Sequence, residues 1–431
     1  MHENKDAPLL ATDQAQEQWQ PVPPPQPQSE PPDGDGLFGF GWQPVLPPRL
    51  QSENLQPEPA RASPSAQVPG PAVDPASRRI VTLAPDGTGD YASLEQAVAA
   101  VCENETIRLL PGEYRLAATL VITKSISLQG AGMDETAIVG CSGRAVIAYA
   151  AAGPFTAAAI TFRYEGLAPA DLITANQGAM AITCCRFSGG VANGKGEYGG
   201  HGLLLSGQAT GRVAHCVAEN NGGCGLAIHG QARPHLEENL CRGNKGSGIG
   251  FFDDSAGVAH KNRCTANAQS GFAVQGRAQP TLDDNRCDRN QAPGIVFAGY
   301  ARGCALKNQC TGNWLQGILV QQEAAPRLEQ NQCLQNRGHG IQYSGHAGGT
   351  AQGNRCEQNG CPFEAFAGCD GSGIWVAGGG PIIAANRCCN NRSYGILVSE
   401  GTSARLLDNQ CNGNAAGNLK DRRGSIAANG G

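Results

Sequence analysis

The chain of 431 residues has few large side chains: 11 Phe, 8 Tyr, 4 Trp and 3 Met, against 60 Gly and 27 Pro. A helical bundle needs a 3.6-residue apolar period, and none runs through this sequence. No apolar run approaches the length of a membrane span. Residues Met1-His2-Glu3-Asn4-Lys5-Asp6 form no basic region and no apolar core follows them, so no secretory leader is expected. Charge is also scarce. The formal balance is −5, too mild and of the wrong sign for a nucleic-acid partner. The 8 His occupy no shared column, which argues against a metal ladder. Eighteen Cys would mark a disulfide scaffold only in a short secreted chain.

What the chain has instead is a repeat. From Gly225 to Asn359 it reads in blocks of constant length. Gly225, Gly248, Gly271, Gly294, Gly317 and Gly340 open them, each followed by an apolar residue. Each block then carries Asn-x-Cys-x-x-Asn, from Asn239-Cys241-Asn244 to Asn354-Cys356-Asn359. Helical repeats need roughly 33 residues or more, and these blocks are shorter. Their apolar pieces, Gly225–Ile228, Ile249–Phe251, Phe272–Val274 and Ile318–Val320, are strand-like and bounded by Gly, Asn, Pro and Ser. One coil of a parallel β-solenoid per block fits best, with coils stacked about 4.8 Å apart. Stacking turns each repeated position into a column. The Asn after each Cys is expected in a left-handed turn, bonding its amide to the next coil. The Cys column is expected to be a buried stack of free thiols, since stacked Cβ atoms stand farther apart than the ~3.8 Å of a disulfide.

A second pattern has twice the period. Pro234, Gly257, Pro280, Gly303, Pro326 and Gly349 alternate; so do Leu236, Ala259, Leu282, Ala305, Leu328 and Ala351. Glu238, Lys261, Asp284 and Lys307 alternate in charge and are expected to pair across coils as exposed ion pairs.

The shared pattern Gly-Ile-x-Val, x-Pro-x-Leu, Asn-x-Cys-x-x-Asn resembles the right-handed parallel β-helix repeats of the pectin-lyase-like superfamily. It is most similar to the carbohydrate-binding and sugar-hydrolase type repeats of bacterial β-helix proteins and of F-box β-helix proteins. The resemblance covers about residues 200–414. It implies an all-β, single-stranded right-handed parallel β-helix, and leaves open whether the chain is a lyase, epimerase, hydrolase or non-catalytic binder.

The parts follow from this. Residues 1–77 are rich in Pro and Gln and are expected to be a disordered tail. Within it Trp19-Gln20-Pro21-Val22 recurs as Trp42-Gln43-Pro44-Val45, so Trp19 and Trp42 are candidate partner-binding motifs. The β-helix is expected over 78–418, with cap and first coils at 78–136 and regular repeats at 200–414. A polar tail is expected over 419–431. In the cap, Ser93 is placed to start a helix over Leu94 to Val101, with Gln96 at the capping-box position. This piece, including Asp86 to Tyr91, Pro111-Gly112 and Lys124, resembles the start of pectin-methylesterase-like and pectate-lyase-like β-helices. The later esterase signatures, Gln-Asp-Thr and Gly-Arg-Pro-Trp among them, are absent. Two insertions, Gly189 to Gly200 and one after Asn359, each precede a coil-opening Gly (Gly202, Gly373) and are expected at one edge. Cys361 and Cys369 in the second are spaced for a small disulfide loop or two metal ligands, and without a further thiol pair no metal site is assigned.

Lyases of the resembling superfamily use acids for Ca²⁺ and an Arg or Lys base on one outer sheet. The candidates here are Asp253, Asp254, Asp283 and Arg286, the last one coil from Arg263. Adjacent strand residues point to opposite faces, so a paired acid is not by itself a chelate. The primary expectation is therefore a non-catalytic binding or scaffold rod that presents flat sheets to an extended glycan or a protein partner. The alternative is a polysaccharide lyase, hydrolase or epimerase, with Ca²⁺ as cofactor only in that case. The third reading is an adaptor-like interaction module, and it lacks a Leu-rich F-box helix. The thiol column and absent leader suggest the cytoplasm, with export through a route that reads the N-terminus as the other option.

Overall fold

A computed structural model of the chain describes residues 79–194, 199–361 and 371–423. The chain divides into units Met1–Ala72 and Val73–Gly431, and all described residues belong to the second. The tail with Trp19 and Trp42, the bulk of the second insertion with Cys369, and residues 424–431 lie outside the described residues.

The described chain winds as a right-handed parallel β-solenoid whose coils lay one strand each on three walls. Wall 1 has 14 strands, from Ile80–Leu83 to Arg405–Leu407; walls 2 and 3 have 13 each, ending at Gln410–Asn412 and Gly417–Asp421. One coil runs Leu226–Ile228 on wall 3, Arg233–Glu237 on wall 1 and Leu240–Arg242 on wall 2. Neighbouring strands are parallel and in register, so Cys241, Cys264, Cys287, Cys310, Cys333, Cys356, Cys388 and Cys411 stand over one another on wall 2. The described cysteines are free thiols. Wall 3 continues to Asp421 through pairing of Gly417–Asp421 with Tyr394–Val398, past position 419 where a tail was expected.

Two features of the stack differ from the sequence expectation. The left-handed residue is not the ladder Asn but the one before it: Glu238, Lys261, Asp284 and Lys307 at one corner, Asn220, Ala266 and Arg289 at the other, all with φ near +50° to +56°. That residue turns the chain off the strand and so points the following Asn inward. Both Asn columns, not only the second, then form ladders. Asn262 donates its backbone N and Nδ2 to Asn285 Oδ1 at 2.9 and 3.0 Å, and Nδ2 also reaches Leu236 O at 2.9 Å. Asn267 repeats this with Asn290 Oδ1 and Cys241 O. Since Glu238 and its column hang from left-handed corners, the expected Glu238–Lys261 and Lys261–Asp284 ion pairs do not form. Glu238 lies 3.3 Å from His215 instead.

Cys216 does not belong to the thiol column. Cys216 occupies the first Asn column and donates its backbone N to Asn239 Oδ1 at 3.0 Å. The thiol column begins at Cys241, and Phe162, Phe187 and Ala218 precede it in the same register. The coil-opening glycines are needed for space: a Cβ on Gly248 would meet Cys264 Cβ at 2.7 Å, and one on Gly317 would meet Cys333 Cβ at 2.7 Å. The N-terminal end is covered by helix Leu94–Ala100, where the Ser93 hydroxyl accepts from Gln96 N at 3.3 Å and Leu94, Ala97 and Val98 face the core.

Candidate active site on the third wall

The outer faces of the three walls differ in chemistry. Wall 2 carries arginine–carboxylate ion pairs along most of its length. Wall 3 carries an apolar stripe outside: Ala273, Val296 and Ala298 pack together with Phe252 and Leu319 against them. Gln342 and Trp375 continue the same column. Both insertions emerge between a wall 2 strand and a wall 3 strand, and so border this face along one edge.

Beside the first insertion, successive coils place Asp171, His201, His229 and Asp253 in a line across wall 3. Asp171 opens strand Asp171–Ala175 and is buried; its Oδ1 accepts from the backbone N of His201 at 2.7 Å. Burial raises its pKa, partly opposed by that hydrogen bond and by the field of His229. His201 sits one coil on, before Gly202. Its Nδ1 accepts from Cys224 N at 3.0 Å, so its ring proton must be on Nε2. Burial, reinforced by His229, pushes its pKa down to about 4. His229 follows strand Leu226–Ile228, with its ring centroid 6.4 Å from that of His201 and stacked 4.6 Å from Phe252. Its Nδ1 lies 3.2 Å from Asp253 Oδ2, and Gly230 N donates to the same oxygen at 2.9 Å. The bond to His229, then that to Gly230, hold Asp253 below the usual carboxylate range, against its partial burial. An ionised carboxylate only accepts, so His229 carries a proton on Nδ1, and Nε2 is the accepting nitrogen of its neutral form. The line thus sets a proton acceptor, His229 Nε2, beside a proton donor, His201 Nε2–H.

The sequence candidates are distributed as follows. Asp253 is in this line. Asp254 is exposed in the same turn. Asp283 ends a wall 1 strand, 2.9 Å from His260 Nδ1. Arg286 lies on wall 2, with Nε 3.2 Å from Asp288 Oδ1. The four do not converge. Asp171, His201 and His229 were missed because the first insertion breaks the period there. One signal was available: His201 and His339 both immediately precede a coil-opening Gly, so two of the His do share a column. His339 repeats the device, with Nδ1 accepting from Ser372 N at 3.0 Å, and its ring lies 4.7 Å from Trp375. Among the described residues, no three of His, Cys, Asp and Glu gather closely enough to hold a metal ion, and no helix is long and apolar enough to cross a membrane. Cys361 is a buried free thiol.

Comparison with known proteins agrees with the fold. The family described as "Right handed beta helix region" matches residues 172–313 and 301–427. No curated protein matches the chain in sequence. Among solved structures, the chain is similar to the mannuronan C-5 epimerase A-module of Azotobacter vinelandii, with 18% identity, 76% of this chain and 91% of that one covered, and a TM-score of 0.53. It is similar to the catalytic unit of a thermostable α-1,3-glucanase from Streptomyces thermodiastaticus, at 14% identity, 81% and 70% coverage and a TM-score of 0.55. It is also similar to the Dettilon tailspike protein, at 16% identity, 78% and 68% coverage and a TM-score of 0.53. These neighbours overturn the expectation of a non-catalytic display rod or adaptor: the folds that superpose include an epimerase and a glucanase catalytic unit.

Proposed function

We propose that this chain, which belongs to the right-handed β-helix family, is a carbohydrate-active enzyme that moves a proton on a polysaccharide laid along wall 3. The observation that carries this reading is the complementary pair of imidazoles. His229 Nε2 is free to accept a proton because Asp253 holds Nδ1–H; His201 Nε2–H is free to donate because Cys224 N–H occupies its Nδ1. A depressed His and a raised Asp side by side at the edge of wall 3 are the pattern of acid–base chemistry.

The two carboxylates argue against hydrolysis. Asp171 and Asp253 are separated by three strand steps along the axis, about 14 Å, and also lie at opposite ends of the wall 3 strands. Two-carboxylate glycoside hydrolysis works over roughly 5–9.5 Å. Proton abstraction suits the site better, on an acidic sugar whose ring C–H lies next to a carboxylate. His229 Nε2 takes the ring proton and the electron pair moves into the carboxyl group, with His201 Nε2–H donating to the developing charge. The electron pair then either returns to the carbon as that carbon takes a proton from solvent on its opposite face, giving an epimer, or expels the glycosidic oxygen, which leaves with the proton that His229 Nε2 had taken, giving an unsaturated end. The apolar stripe offers the flat, uncharged surface on which sugar C–H faces pack.

The test is turnover of polyuronates and neutral glucans by the full chain, followed by ultraviolet absorbance for unsaturated ends, reducing-end assay and proton NMR for inverted centres. Turnover of a polyuronate that is lost in His229→Ala supports the reading. Inertness on every polymer, or turnover indifferent to His229→Ala, sinks it.

A further inference from the structure

On the outer face of wall 2, one column reads Arg263, Arg286, Gln309, Gln332, Arg355, Arg387 over six successive strands. Like charges directly opposite on neighbouring strands cost stability. Gln at two positions shows that the coil does not need Arg there. Yet Arg stands over Arg twice.

Each Arg pair is anchored by one nearly buried acid of the adjacent column. Asp288, with a side chain 4% exposed, takes Arg263 at 3.3 Å, Arg286 at 3.2 Å and Arg289 at 3.1 Å. Glu357, 9% exposed, takes Arg355 at 2.6 Å and Arg387 at 2.9 Å. Both clusters keep surplus positive charge. Arg286 and Arg387 meet their acids at Nε, which leaves their terminal nitrogens facing outward; their side chains are 54% and 61% exposed. Among the described residues, the side chains of Gln309 and Gln332 have no hydrogen-bond partner. The column is therefore a row of outward donors, fixed in place by buried acids and spaced about 4.8 Å apart along the axis.

We propose that this row binds an acidic polysaccharide running parallel to the solenoid axis, its carboxylates on the two Arg pairs and its hydroxyls on the Gln pair between them. Guanidinium matches carboxylate as a two-pronged partner, and preorganisation by Asp288 and Glu357 lowers the entropy lost on binding. A nucleic acid fits less well. The flanking column holds Thr265, Asp288, Thr311, Leu334 and Glu357, with no aromatic ring for a base to stack on, and the chain's net charge is −5. This surface lies on another wall from the imidazole pair and stands whether or not wall 3 is catalytic.

The experiment is affinity electrophoresis and titration calorimetry of the full chain against polygalacturonate, with dextran and single-stranded DNA as comparators, at two salt concentrations. The expected result is binding of polygalacturonate alone, weakened by salt. Arg286→Gln with Arg387→Gln should weaken it at least about tenfold. Those variants leave Arg263, Arg289 and Arg355 on the two acids, and unchanged thermal melting checks the fold. Gln309→Glu with Gln332→Glu puts two carboxylates mid-row without touching an ion pair and should abolish binding. Absence of polygalacturonate binding, equal or tighter binding of DNA, or indifference to both sets of variants would overturn the proposal.

Discussion

Replacing Asn290 by Ala tests whether the ladders hold the coils together. Asn290 Oδ1 accepts from Asn267 N at 3.1 Å and from Asn267 Nδ2 at 2.9 Å. Its Nδ2 donates to Cys264 O at 3.1 Å and Asn313 Oδ1 at 3.0 Å. Alanine removes all four bonds. Two buried donors of Asn267 lose their acceptor, and the Cys264 carbonyl loses a donor. An unpaired buried polar group costs roughly 1–3 kcal/mol, so the two donors alone predict a loss of about 4 kcal/mol. The neighbouring Gln291 is exposed, and Gln291→Ala should change stability by less than about 0.5 kcal/mol. Urea unfolding of the two variants compares them directly. A lowered m-value for Asn290→Ala would additionally show the array parting at that coil. If Asn290→Ala falls within about 1 kcal/mol of Gln291→Ala, the ladders are a consequence of stacking and not a cause of it.

Three further outcomes are expected. With a polyuronate that the chain turns over, His229→Ala should lower kcat/KM by about 100-fold or more and Asp253→Asn by about tenfold; an unchanged kcat/KM for His229→Ala removes its role as base. His339 is buried and its pKa is depressed from 6.5 to about 4, so the unfolded chain protonates first as pH falls. The contribution to stability is full above about pH 6.5 and lost towards pH 4, by about 3 kcal/mol. His339→Gln should therefore flatten melting temperature against pH in that window, and an unchanged slope refutes the assignment. Native-state thiol labelling read by peptide mass spectrometry should modify the exposed Cys102, Cys141 and Cys184 quickly, and reach Cys264, Cys287 and Cys310 only after unfolding; prompt labelling of Cys287 would mean that the column is open to solvent.

The solenoid could be read from the sequence because its spacing is the fold. A residue that recurs once per coil must meet itself on the next coil, so the Asn and Cys columns and the inward Leu/Ala alternation needed no tertiary information. The cap was equally local: Ser93, Gln96 and the apolar face of Leu94, Ala97 and Val98 define it within one turn of chain. The proposed site on wall 3 was not local. Asp171 and His201 are 30 positions apart and meet across a coil lengthened by an insertion, so the repeat arithmetic fails at the proposed site. Asp288 was hidden for another reason: its role as anchor comes from arginines on three different positions, visible only once register sets them side by side.

The Pro/Gly alternation on wall 1 gives the stack a parity. Gly257, at φ +122°, has room for no Cβ because Pro234 O would lie 2.3 Å from it, and Gly303 and Gly349 stand in the same relation to Pro280 and Pro326. Remove a single coil from this run and proline stands over proline, or glycine over glycine, at the cut. Remove two and the phase returns. Between Gly211 and Pro381, where the alternation runs, the stack keeps its phase only if coils are gained or lost in pairs.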